Sequence, residues 1–284
     1  MPADTANLTR AFAAQHGCEP RLIAEAPGRV NLIGEHTDYN EGFGLPVAID
    51  RSVAVAAAPR EDRRVRAHAV DHDQRDDFSL DAARRHPMGG WRNYVRGVLW
   101  ALLDSQLPLG GVDLSISGDV PQGAGLSSSA ALELALAGAI CAASGIELPP
   151  RDLALLCQRA EHMYAGVQCG IMDQFAAALG REGCALFVDC QSLETEDVPL
   201  PDGVAIVVID SKAPRELAAT PYNQRRDECA QAARELGLSS LRNADEAQIE
   251  SLPDVLRRRA RHVVTENARV LAAKAALGND DRAA

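Results

Sequence analysis

Two stretches of this chain combine residue types that can do chemistry. PQGAGLSSSAALE, residues 121–133, sets Gly123, Ala124, Gly125 and Leu126 ahead of Ser127, Ser128 and Ser129, directly before an alanine- and leucine-rich run. Gly and Ser are poor in helix interiors while Ala, Leu and Glu are good, so the stretch reads as a loop turning abruptly into a helix. A helix start exposes unpaired N–H groups and carries about half a positive charge. Glycines let that backbone approach a ligand closely, and serines add hydroxyls; together they form a cradle suited to phosphate. It is not the common P-loop, because no lysine follows the second glycine. An ordinary helix cap is the plainer account, but a cap needs one serine rather than three. The second stretch, APGRVNLIGEHTDYNEG, residues 26–42, packs Arg29, Glu35, His36, Asp38, Tyr39 and Asn40 into a short span. Sugar hydroxyls both donate and accept, so that density of hydrogen-bonding side chains suits a sugar; a polar turn between strands is the alternative. The run at Asp38 lacks the glycine and distal glutamate of a calcium loop. His36 has no second histidine four residues on, which excludes the zinc-helix pattern.

Periodicity indicates the elements that carry these stretches. Residues 8–16 and 91–105 have helical apolar spacing, the second with Tyr94, Val95, Val98, Leu99 and Leu102 on one stripe. Strands are expected at 22–34, broken by Pro-Gly, at 48–59, at 65–71 and at 111–121, where Val112, Leu114 and Ile116 alternate as on a strand with one buried face. The helix after the serines is expected over 128–144, stopped by Gly145, and is apolar nearly all round, the mark of a buried helix. Helices follow at 151–166 and 171–180, strands at 183–190 and 203–211, and mostly helix after about 213. The Glu-, Asp- and Pro-rich SLETEDVPLPDG, 192–203, reads as the seam between two domains.

The bulk properties narrow the choice of partner. The 284 residues carry 29 Lys and Arg against 40 Asp and Glu, a net charge of −11. Such a chain gains no general electrostatic help in binding nucleic acid or anionic membrane, so an anionic ligand must be held by local groups. RRRAR at 257–261 is read as a charged helix face, since Asp254 and Glu266 flank it. His68 and His72 stand four apart, but in a charged strand-and-turn region that does not suggest a metal site. No segment approaches the roughly 18 apolar residues of a membrane span, and the N-terminus has no signal-like apolar core. Seven cysteines with no CxxC pair fit reduced thiols in a cytoplasmic enzyme.

Three segments together carry a family resemblance. GRVNLIGEHTDY resembles the galactokinase signature, PQGAGLSSSAALE the phosphate loop of the GHMP small-molecule kinase superfamily, and CGIMDQ at 169–174 its catalytic-aspartate segment. YNQRR at 222–226 and RRRARHVVTENAR at 257–269 are also similar to the galactokinase pattern. The resemblance implies an α/β fold: a mixed-sheet N-terminal galactose- and ATP-binding domain over 1–197, and an α+β C-terminal domain over 198–284. It implies ATP-dependent phosphorylation of D-galactose at the C1 hydroxyl. Gly123, Ala124, Gly125, Leu126, Ser127, Ser128 and Ser129 would then wrap the ATP phosphates, with Trp91 lining the adenine. Ser129 and Glu161 would face Mg²⁺. Glu35, His36, Thr37 and Asp38 would bind galactose hydroxyls, with Gly170 and Tyr222 closing the site. Asp173 would be the base at the C1 hydroxyl and Arg29 its cationic neighbour. A non-catalytic galactose- and ATP-binding sensor, or an N-acetylgalactosamine kinase, are the alternatives; the intact SSSAA with Arg29 and Asp173 favours the enzyme. The superfamily's third glycine-rich motif has no counterpart, since after Tyr222 only Gly237 and Gly278 occur. A C-terminal half short of strand partners, with apolar faces uncovered and activity weak or absent, is therefore expected.

Overall fold

The computed structural model describes residues 4–210 and 221–278. The chain opens with α1 (Thr5–His16), β1 (Leu22–Asn31), β2 (Phe43–Gly44), β3 (Pro46–Arg60), β4 (Arg64–Ala69) and β5 (Gln74–Ser79). It continues through α2 (Trp91–Asp104), β6 (Gly111–Gly118), α3 (Ser128–Ala143), α4 (Pro150–Ala160) and α5 (Met172–Leu179). The remainder comprises β7 (Cys184–Asp189), β8 (Thr195–Pro199), α6 (Pro221–Glu235), α7 (Glu246–Ile249) and α8 (Asp254–Gly278). Packing groups the residues into two interleaved units rather than along a single cut in the chain. One holds the chain up to 28 together with 49–167; the other holds 29–48 together with the residues from 168 onward.

The first unit is built on a five-stranded mixed sheet in the order β1-β3-β6-β4-β5. β6 runs antiparallel to β3, with Val55 opposite Ile116, and parallel to β4, with Ala67 opposite Leu114. The alternation in β6 suggested one buried face, yet its residues from Gly111 to Ile116 are all buried. The cause is α1, which packs on the sheet: Leu8 and Phe12 pack with Ala54, Ala56 and Ala58 of β3. The polar residues of β6 are neutralised there: Arg60 donates to both oxygens of Asp113 at 3.0 and 3.1 Å. α3 is buried nearly all round, as its composition implies, with Leu136 and Ile140 fully enclosed. The expected helix at 151–166 is α4, followed by a π-turn over Glu161–Ala165.

The second unit has a three-stranded antiparallel sheet, β2-β7-β8, with Phe43 opposite Asp189 and Leu186 opposite Asp197. Phe43, Leu45, Phe187, Val198 and Val270 of α8 share one core cluster. A second joins Cys229 and Ala232 of α6 to Leu256, Ala260 and Val263 of α8. Two expectations are corrected here. The segment read as a seam contains β8, an edge strand whose only buried residue is Val198. The strand expected at 203–211 is not formed over 203–210; Val207 and Ile209 are 77% and 85% exposed, and no strand pairs with them among the described residues. Residues 211–220 lie outside the described chain.

Candidate functional site

In the second unit, β1 ends and the chain turns through a tight loop before β2. His36 and Glu41 adopt left-handed φ values of 60° and 58°, a conformation uncommon for side-chain-bearing residues. Thr37 is fully buried, and its hydroxyl lies 2.7 Å from the Gly34 carbonyl and 2.6 Å from the Phe43 carbonyl. Thr37 therefore closes the loop on itself. The Asn40 amide does the same by donating to the His36 carbonyl at 2.9 Å.

This loop brings Asp38 near Asp173, which sits in the first turn of α5, where a helix favours negative charge. Arg29 serves Asp173 directly: Nε and Nη2 lie 2.7 and 2.6 Å from the same carboxylate oxygen. Both side chains are mostly enclosed, at 14% and 24% exposure, so their attraction is weakly screened. Asp38 is pushed up to about 6, chiefly by burial and then by the charge of Asp173; the Tyr39 amide and Arg29 pull the other way. The Tyr39 N–H donates to Asp38 at 2.9 Å. A Cβ on Gly170 would fall 2.2 Å from an Asp38 carboxylate oxygen, so only glycine permits that approach. His36 packs against Tyr39 and Tyr222, with ring centroids 5.7 and 5.6 Å away, and Tyr39 meets Tyr222 edge-on at 5.4 Å. The His36 Nδ1 and the Tyr39 hydroxyl are hydrogen-bonded at 2.8 Å. Burial lowers the His36 pKa and raises that of Tyr222, keeping both neutral near pH 7. Glu35 is exposed and accepts from Asn31 at 2.9 Å. Arg29, Glu35, His36, Thr37, Asp38, Gly170, Asp173 and Tyr222 thus belong to the same unit. The arrangement offers a charge-paired carboxylate beside a second, reluctant carboxylate, walled by aromatic rings: groups that can orient hydroxyls and accept a proton.

The serine-rich loop, Trp91 and Glu161 belong to the first unit. Gly123 and Gly125 have φ of 73° and 79°, and Ser127 follows at 55° to start α3. The Ser127 side chain makes no capping hydrogen bond to the first turn of α3. No atom lies within 4 Å of a Cβ placed on Gly123, which leaves the backbone open there. Trp91 starts α2; its indole donates to Gln74 at 3.0 Å and Arg92 lies over its ring. Glu161 begins the π-turn and is buried. A serine hydroxyl and a carboxylate are hard oxygen donors that fit Mg²⁺, which also keeps waters and substrate phosphates as ligands.

Three contributors lie on α8, within the 257–269 stretch that resembles the galactokinase pattern but to which the sequence assigned no site role. Glu266 accepts from the Gly34 and Glu35 amides, Asn267 accepts from the Phe43 amide, and His262 is hydrogen-bonded to the Glu35 carbonyl. The spacing of Arg, Glu and Asn along this helix reads as a charged face, and much of it is: Arg259 pairs with Glu228 and Arg261 with Glu250. Only the interruption of that face by a buried Glu-Asn pair could have signalled another task.

The helix start at Ser127 and the tight loop over 34–43 lie in the segments that resemble the GHMP small-molecule kinases, and comparison with known proteins shows that class. The GHMP kinases N terminal domain is matched over residues 93–181, and the galactokinase galactose-binding signature over residues 10–59. The chain is 50% identical to a galactokinase of Roseiflexus sp. (strain RS-1), with 98% of this chain and 73% of that protein covered. It is 48% identical to a galactokinase of Chloroflexus aggregans over 98% of this chain and 74% of that one. The crystal structure of Lactococcus lactis galactokinase with galactose superposes with a TM-score of 0.88 at 32% identity, covering 97% of this chain and 75% of that chain. A mevalonate kinase at 16% identity shares the fold, with a TM-score of 0.56. The chain belongs to the galactokinase family.

Proposed function

We propose that the chain transfers the terminal phosphoryl group of ATP to the C1 hydroxyl of D-galactose, giving galactose 1-phosphate and ADP. The observation that carries this reading is the Arg29–Asp173 pair beside Asp38, in the unit that also holds the galactokinase loop. A sugar hydroxyl is a weak nucleophile until its proton is accepted, and Asp173 is the group that takes it, an effect worth roughly 10²–10⁴ in rate. Arg29 holds the carboxylate in place and offsets the negative charge of the transferring group. Asp38, Glu35 and His36 orient the ring hydroxyls, Gly170 gives Asp38 room, and Tyr222 forms an apolar wall. Thr37 acts through the shape of the loop.

Gly123 through Ser129 hold the triphosphate by backbone amides and hydroxyls, and Trp91 lines the adenine. Ser129 and Glu161 would hold Mg²⁺, which when bound would supply neutralisation of phosphate charge. No described helix is long and apolar enough to cross a membrane. The scattered cysteines, none in a CxxC pair, support a cytoplasmic enzyme. The test is ADP release coupled to a galactose titration, with the product identified by phosphorus NMR as a sugar 1-phosphate. No ADP above the sugar-free background would refute the enzyme. Galactose and ATP binding by calorimetry without turnover would return the sensor reading, and faster turnover of N-acetylgalactosamine would change the substrate.

A further inference from the structure

We propose that Glu266 and Asn267, adjacent on α8, are positioning residues that hold the sugar loop at both of its ends. The inference rests on the reading that residues 35–38 bind the sugar. Glu266 Oε1 accepts from the Gly34 amide at 2.8 Å and from the Glu35 amide at 3.1 Å, where the loop leaves β1. Asn267 Oδ1 accepts from the Phe43 amide at 3.0 Å, where the loop enters β2. His262, one turn earlier on α8, adds a 2.8 Å contact to the Glu35 carbonyl. Glu266 and Asn267 are 6% and 7% exposed, and these are bonds to backbone groups that would otherwise lack partners.

The loop needs such an anchor. Two of its side-chain-bearing residues are left-handed, and strained backbone persists only where its surroundings over-determine it. Division of labour within Glu266 sharpens the assignment: Oε1 takes both loop amides, while Oε2 accepts from Arg269 at 2.8 Å. Burial opposes ionisation of Glu266, but the Gly34 amide, Arg269 and the Glu35 amide outweigh it and hold its carboxyl below the ordinary range. Gly42 fits the same arrangement, since a Cβ there would lie 2.5 Å from Asn267 Oδ1. The helix and the loop therefore approach as closely as bare backbone allows.

The experiment pairs amide hydrogen exchange on the ligand-free protein with steady-state kinetics. Glu266→Ala should expose the Gly34 and Glu35 amides and raise galactose KM about tenfold, with ATP KM and kcat within about threefold of the parent. Glu266→Gln keeps the carbonyl oxygen that serves both amides and loses only the Arg269 pair, so protection and galactose KM should return to within about twofold. Should the alanine variant fail to fold, Asn267→Ala removes one anchor only and should expose the Phe43 amide with a few-fold rise in galactose KM. Unchanged exchange at residues 34, 35 and 43 in the alanine variants would overturn the anchoring whatever the substrate is. Loosened amides with an unchanged galactose KM would overturn the positioning role. Loosened amides in a protein that never phosphorylates galactose would uphold the anchoring and refute the proposed function.

Discussion

The serine-rich loop and the sugar loop are both short turns rich in unusual backbone conformations, yet they are held in different ways. Around Gly123 the backbone is open, with left-handed glycines at the foot of a buried helix. Around Asp38 the loop is tied by Thr37 to its own carbonyls and by Glu266 and Asn267 to α8. On the proposed function, the difference follows from what each would grip. A phosphate accepts hydrogen bonds from any aligned amide, so bare backbone suffices. A sugar must be recognised hydroxyl by hydroxyl, which requires side chains fixed to a few tenths of an ångström and therefore a supporting frame.

Substitutions in each region should separate these two modes. The largest effect is expected at Arg29→Ala, which removes the cation paired with Asp173; kcat/KM for galactose should fall by roughly 10²–10³. A variant within threefold of the parent would detach Arg29 from the chemistry. Gly170→Ala comes next. Its Cβ must displace Asp38, an overpacking cost of about 1–3 kcal/mol, so galactose KM should rise roughly ten- to hundredfold with ATP KM unchanged.

Asp38→Asn should act oppositely on binding and on stability. Asp38 has a folded pKa of about 6 against an ordinary 3.8. The fold holds that proton more tightly than the unfolded chain does, so stability falls as pH rises through the interval between those values. Above it the whole penalty is present, and the neutral amide removes it. The variant should melt roughly 5–10 °C higher than the parent at pH 8 and show no advantage near pH 4, while galactose KM rises. A lower melting temperature at pH 8 would contradict the assignment of Asp38 as a reluctant carboxylate. The smallest effect is expected at Gly123→Ala: only left-handed strain opposes the methyl, about 1 kcal/mol, so ATP KM should rise about fivefold and galactose KM stay constant.

The two regions also differ in how far they could be read from the chain. The loop before α3 is legible as a loop-to-helix turn because its cue, glycines and serines ahead of an alanine-rich run, lies within a few residues. The loop over 34–43 announces its side chains, but its anchors lie 224 to 232 residues further on, and although 257–269 resembles the family pattern, nothing local in it says which backbone groups Glu266 and Asn267 hold. The same limit explains the elements that departed from expectation. β6 is buried on both faces because α1 covers it, which alternation within β6 does not encode. β8 hides in an acidic, proline-flanked stretch because an edge strand needs only one buried residue. Residues 203–210 have strong strand-type composition, but a strand also requires a partner edge, and none lies beside them among the described residues.

The most direct test concerns Asp173. Asp173→Asn keeps the shape and the hydrogen-bonding reach of the side chain but removes its capacity to accept the hydroxyl proton. Calorimetry should find galactose affinity within about threefold of the parent, while kcat for ADP formation falls by roughly 10²–10⁴. Turnover at the parental rate with intact galactose binding would contradict the account at its centre.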